Sequence, residues 1–139
     1  MGRETIHEGG CLCGAVRYRV DAAPGAVGHC HCTMCRKATG ASVVTWAVFP
    51  RTALAFTRGS LSTYRSSARA VRGFCGACGC QITFQYDDRP DRIDVTVGSL
   101  DRPDAVTPMR HIWTESQIGW LRMDDGLPRR PGAGGKGLE

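Results

Sequence analysis

Apolar residues alternate with polar ones in three short runs: Val16, Tyr18 and Val20; Ile82, Phe84 and Tyr86; Ile93, Val95 and Val97. A period of two predicts strands that carry these side chains on one face and polar residues on the other. The run SVVTWAVF lacks that alternation and predicts a strand covered on both faces. Helical periodicity is weak throughout, and its best short candidate runs from Thr33 to Ala38. Turn signals fall at Pro24-Gly25, at Arg58-Gly59 and from Gly126 to Pro128. The pattern predicts a mainly β fold with few short helical turns, and no internal repeat interrupts it.

Length and composition fit one soluble globular domain: 139 residues, 42% hydrophobic and 22% charged. No run approaches the ~18 apolar residues of a membrane-spanning helix. The opening MGRETIHEGGCLCG contains no apolar stretch of the kind a secretory signal needs, so a cytoplasmic, reducing setting is the expectation. Residues 1–127 read as the folded domain and 128–139 as a mobile Gly/Pro-rich tail. The tail's GAGGKG is no phosphate loop, since it follows no strand, opens no helix and has no Ser or Thr after Lys136.

Charge is unevenly spread. Between Asp21 and Asp87 there is no acidic residue, while Arg36, Lys37, Arg51, Arg58, Arg65, Arg69 and Arg72 all lie there. Such a segment is either a solvated face balanced by the acidic stretch after Asp87 or an attractor for an anionic ligand. Neither an aromatic stacking motif nor paired zinc-finger histidines accompany it, which argues against a nucleic-acid partner.

The eight cysteines change the picture most. They fall as Cys11-x-Cys13, Cys30-x-Cys32-x-x-Cys35 and Cys75-x-x-Cys78, with Cys80 just beyond. In a reducing compartment such spacing means metal ligands or catalytic thiols more often than disulfides. Each Cys-x-Cys, set in a strand, can aim both sulfurs at one ion, and each Cys-x-x-Cys does so across a tight turn. Zinc takes four ligands in a structural site and three plus an open position in a catalytic one. Cys11, Cys13, Cys75 and Cys78 therefore pair as a closed site, two hooks from distant parts of the chain. Cys30, Cys32 and Cys35 remain as a local three-thiolate site with an open position. A thiol entering that position would lose its proton and become a nucleophile toward a carbonyl carbon. Two zinc ions on seven thiolates would also remove three of the five formal positive charges. Two alternatives stay open: a thioredoxin-like redox pair at Cys32 and Cys35, without the surrounding βαβ pattern, and two purely structural zincs with Cys80, His29 or His31 completing the second.

With these residues in view, the chain resembles the glutathione-dependent formaldehyde-activating enzyme family, which includes centromere protein V. The likeness runs in ordered blocks: GGCLCGAVRY, CHCTMCRKATGA, FCGACGCQITF, VGSLDRP, HIWTESQIGWL and DGLP. It implies a β-tent-like domain with a structural zinc on Cys11, Cys13, Cys75 and Cys78 and a catalytic zinc on Cys30, Cys32 and Cys35. It implies as substrates glutathione and formaldehyde, joined into S-hydroxymethylglutathione, formally a carbon–sulfur lyase run in reverse. Arg36 and Lys37, beside the triad, are the first candidates to contact the thiol's carboxylates. His29, His31 and His111 are candidates to move the proton, and Trp46, Trp113 and Trp120 are candidates to wall a cleft. Cys80 departs from the pattern, where a small hydroxyl or apolar residue is expected.

Overall fold

The computed structural model describes residues 6–133. Ten strands appear among them: β1 (Ile6–Gly10), β2 (Arg17–Asp21), β3 (Val27–Cys30), β4 (Val44–Pro50), β5 (Leu54–Arg58), β6 (Ser62–Arg65), β7 (Ala70–Phe74), β8 (Gln81–Tyr86), β9 (Arg92–Thr96) and β10 (Arg110–Ile112). One α-helix, α1 (Thr33–Thr39), and short 3-10 turns complete a mainly β architecture. A three-stranded sheet runs β1-β2-β5, and a seven-stranded sheet runs β10-β3-β4-β9-β8-β7-β6. Every pairing is antiparallel except β10 on β3.

The period-two expectation holds in β2 and β9. Tyr18 and Val20 from β2, and Ile93 and Val95 from β9, enter one core with Phe49 and Leu54. β4 is covered on both sides, as its unbroken apolar run predicts. Ala47 and Phe49 face that core, whereas Val44 and Trp46 join a second cluster with Cys30 and Cys35. In β8 the alternation fails: Ile82 lies in the main core, but Phe84 packs against the second cluster. The register with β7 shifts between Gly73 and Phe74, which pair with Thr83 and Gln81 and leave Ile82 as an extra residue. A bulge of this kind turns one side chain to the opposite face.

Other strands carried too little pattern to predict. β6 is exposed along its whole length, and β10 has only three residues. β10 is held by parallel pairing with β3 and by the segment after Gly126: His111 N–H donates to Pro128 O (2.8 Å), Arg130 N–H to His111 O (3.0 Å) and Trp113 N–H to Gly132 O (2.9 Å). Residues 128–133 of the expected tail therefore lie along this edge, while 134–139 fall outside the described residues.

The helix is where the sequence places it. Cys32 caps it, its sulfur accepting from Cys35 N–H at 3.2 Å, and Gly40 ends it in the left-handed region at φ 74°. No described helix is long and apolar enough to cross a membrane.

Candidate metal centres and their cavity

The first cysteine hook is a turn, not the strand expected for Cys-x-Cys. Residues Cys11 to Val16 link β1 to β2, with Cys11 N–H bonded to Val16 O (3.1 Å) and Gly14 N–H to Cys11 O (3.3 Å). This curl brings Val16 N–H to 3.3 Å from Cys11 Sγ. The second hook, between β7 and β8, repeats the device as its glycines predict. Gly79, at φ 82°, donates to Cys75 O, and Cys78 N–H points at Cys75 Sγ at 3.4 Å. Amide donors aimed at sulfur favour the thiolate, the form that binds metal.

The two hooks meet. The sulfurs of Cys11, Cys13, Cys75 and Cys78 lie within 4.8 Å of one another, with Cys11–Cys13 at 3.7 Å and Cys13–Cys75 at 3.8 Å. Four sulfurs about 2.3 Å from a central zinc would stand about 3.8 Å apart along a tetrahedral edge. These spacings fit that ion, and no disulfide joins the cysteines. Val16 N–H is the main force lowering the Cys11 thiol to about 6. Cys13 feels an opposing pull from an Ala15 backbone bond, but the neighbouring thiols and burial raise it to about 11.

Cys30, Cys32 and Cys35 form the second cluster at the end of β3 and the first turn of α1. Hydrogen bonds from the Cys30 and Cys35 thiols, with Cys35 N–H and the charge of Arg72, hold Cys32 far below an ordinary thiol. The cost falls on Cys30, raised chiefly by its Cys32 and Cys35 neighbours. Three crowded thiols thus share one readily released proton and resist losing the others, until a divalent cation supplies the missing positive charge. Cys80 belongs to neither cluster. It is half-buried against the main core, and burial raises its thiol.

The two clusters differ in surroundings. The triad opens on a cavity of about 430 Å³, walled by Trp46, Phe84, Tyr86 and Trp113. Phe84 and Tyr86 meet edge to face at 4.9 Å. Trp113 holds a left-handed backbone, φ 56°, just after β10. Trp120, by contrast, is 71% exposed and does not line this cavity. Arg69, Arg72, Arg92 and Arg110 also reach it, together with Asp94 and Glu115.

Of the predicted contacts, Lys37 lines a neighbouring cavity that shares Thr33, Met34 and Arg72 with this one, and Arg36 lines neither. Arg69 and Arg72 belong to the acid-free segment whose basic residues stand in reserve behind Arg36 and Lys37, whereas Arg92 and Arg110 were missed. Arg72, Arg92 and Arg110 sit on strands at positions that share a face with Trp46 and Phe84. One trace was available: Arg72 follows the buried Ala70 by two residues, an arginine at a core-facing position.

None of the three histidines lines the cavity. His29 and His111 are register partners on β3 and β10, one residue off the parity of Cys30 and Ile112. His111 Nε2 meets the Asp125 carboxylate at 2.8 Å, and His111 Nδ1 meets His31 Nε2 at 2.8 Å. If His111 donates to Asp125, its Nδ1 must accept from His31, leaving His31 Nδ1 a bare lone pair. That atom is indeed buried without a partner. Burial, then the nearby His111, lowers His31 to about 4, so its ring is neutral at physiological pH.

The family model for the glutathione-dependent formaldehyde-activating enzyme matches residues 6–116, most of the described chain. The chain belongs to this family. Within the glutathione-dependent formaldehyde-activating enzyme family, a Halomonas elongata protein named for the same activity is 26% identical over 127 residues, covering 84% of this chain and 80% of its own. A Rhodobacter sphaeroides protein of known crystal structure shares the fold, with a TM-score of 0.55 and 24% identity over 88% of this chain and 98% of that one.

Proposed function

We propose that this chain is a zinc-dependent enzyme that adds a small thiol, glutathione foremost, reversibly to formaldehyde, giving S-hydroxymethylglutathione. The supporting observation is the difference between its two thiol clusters: Cys30, Cys32 and Cys35 face a polar and aromatic cavity, whereas the other four cysteines close on one another between two turns. The family name supports the substrates.

Cys30, Cys32 and Cys35 would hold the catalytic zinc, and Cys11, Cys13, Cys75 and Cys78 a structural one. A zinc ion on three thiolates supplies Lewis acidity that lowers the pKa of a thiol placed beside it. The remaining work falls to the chain. Arginines on the cavity wall attract the carboxylates of a glutathione-like ligand, and Glu115 can pair with its ammonium. Trp46 and Trp113 line the cavity beside the thiols, and their apolar rings would leave less room for water there. In the addition, a sulfur–carbon bond forms, the carbonyl π bond breaks, and the proton that leaves sulfur ends on the former carbonyl oxygen. With no histidine on this wall, Glu115, Asp94 and water are the available carriers of that proton.

Native mass spectrometry, titrated with glutathione, counts metals and ligand together. The expected result is two zinc ions and one glutathione per chain, with the glutathione lost in Cys32→Ser. Faster exchange between glutathione, formaldehyde and their adduct, measured by NMR, should accompany it. Two zincs with neither thiol binding nor faster exchange would refute the enzymatic reading.

A further inference from the structure

Arg72 sits on β7 with 4% of its surface exposed and reaches the cavity of the cysteine triad. Its Nη2 donates to Cys35 Sγ at 3.6 Å, and its guanidinium lies over the Phe84 ring, 4.9 Å from the centroid. Nε and Nη1 are buried and have no hydrogen-bond partner. A buried guanidinium whose donors are unmet is expensive, and such groups are normally satisfied. Two other arginines of the acid-free segment pair with acids at the surface. Arg65 meets Asp87 at 2.7 Å and Arg69 meets Asp88 at 3.6 Å. Among the described residues Arg72 meets no such acid; its contacts are the Cys35 thiol and the Phe84 ring.

We infer that Arg72 is the anion-binding residue of this cavity: its free donors take a negatively charged oxygen of a ligand whose sulfur stands beside Cys35. The inference deepens the proposed function and rests on it for the identity of the ligand. Geometry supplies the reason. One end of the guanidinium is fixed on Cys35 Sγ, so the free donors are held close to the thiol cluster rather than at the cavity mouth. Packing on Phe84 keeps the plane in place, which pre-organises the donors at little entropic cost. Two sources of such an oxygen fit this chemistry. One is a carboxylate of the thiol itself; the other is the aldehyde oxygen, which gains negative charge as sulfur adds to carbon.

The test compares 3-mercaptopropionate with 3-mercaptopropanol, alike except for the carboxylate, on the zinc-loaded wild type, Arg72→Gln and Arg72→Lys. Binding is read by quenching of tryptophan fluorescence, since Trp46 and Trp113 line the cavity. Zinc content and thermal unfolding confirm that each variant is folded, and Arg72→Lys, which keeps the charge, serves if Arg72→Gln does not fold. If the carboxylate is the occupant, either variant weakens 3-mercaptopropionate about 10-fold or more and shifts 3-mercaptopropanol less than about two-fold. If the aldehyde oxygen is the occupant, both thiols bind as before and adduct exchange slows about 10-fold or more. Unchanged binding and exchange, or equal weakening of both thiols, would overturn the inference. Should the wild type take neither of these thiols nor glutathione and speed no adduct exchange, the proposed function fails while Arg72 can still be judged by titrating propionate. Binding to wild type and loss in the variants upholds the anion site; no difference between them refutes it.

Discussion

Cys32 carries two roles that pull on one sulfur atom. It is the N-cap of α1, accepting from Cys35 N–H, and it is the thiol of the triad that ionises first. Serine is itself a good N-cap, so Cys32→Ser retains the local hydrogen bond while removing the soft ligand. The helix should therefore survive. We expect this variant to lose one zinc and all detectable adduct exchange, with its unfolding midpoint close to that of the wild type. Elemental analysis beside a thermal melt measures both at once. Global unfolding of Cys32→Ser would transfer the triad to the structural class. The relay behind the triad gives a contrasting expectation. Asp125→Asn disturbs His111 and, through it, His31, on the side away from the cavity. Its effect should appear as a lower melting temperature with the zinc count unchanged.

At the scale of elements, two contacts fasten the three-stranded sheet to the turn after β9. Arg17 on β2 pairs with Asp101, and Tyr18 OH meets Ser99 Oγ at 2.7 Å. Burial pushes the Tyr18 phenol well above its ordinary value of 10, against the opposing pull of Ser99. A raised folded-state pKa means that this group favours the fold fully below pH 10 and withdraws that support as pH climbs toward the folded value. Stability should stay level to about pH 10 and then fall. Tyr18→Phe should remove that fall and cost about 1 kcal/mol at pH 8, read by urea unfolding.

The alternation that marked β2 was legible because one face meets the core and the other meets solvent. β4 was legible for the opposite reason, having core on one side and the cavity cluster on the other. The strands that escaped notice are edge or short elements whose pairing comes from neighbours rather than from their own pattern, as in β6 and β10. The cysteine spacing revealed which sulfurs the fold gathers, but the reason given for Cys11-x-Cys13 was wrong in kind: a turn, not a strand, aims them. The cavity was the least legible part. Arg72, Arg92 and Arg110 lie on three different strands, and only the order of those strands in the sheet brings them to one wall.

On the scale of the molecule, the two thiol clusters occupy different mechanical positions. The triad is contained in the end of β3, within the seven-stranded sheet, and the helix that follows it. The four-cysteine centre instead joins the β1–β2 turn of one sheet to the β7–β8 turn of the other. Whatever free energy a zinc ion would give there would be gained only when both sheets are in place, so it would count directly toward folding. Structural zinc sites contribute on the order of 10 kcal/mol in isolated metal-dependent domains, comparable with the whole stability of a domain this size. Cys75→Ser should therefore abolish cooperative unfolding or lower its midpoint by more than 10 °C, about what a loss of 2 kcal/mol or more implies. Stepwise chelation should show the same order from the other direction. The first zinc removed should come from the triad, which offers one ligand fewer and opens on the cavity, abolishing thiol binding while far-UV circular dichroism stays constant. The second should leave only as the sheets come apart, so its loss and the collapse of the dichroism should coincide. A Cys75→Ser protein that melts like the wild type with one zinc still bound would show that the sheets hold together without this centre, and the division of seven cysteines into four and three would have to be redrawn.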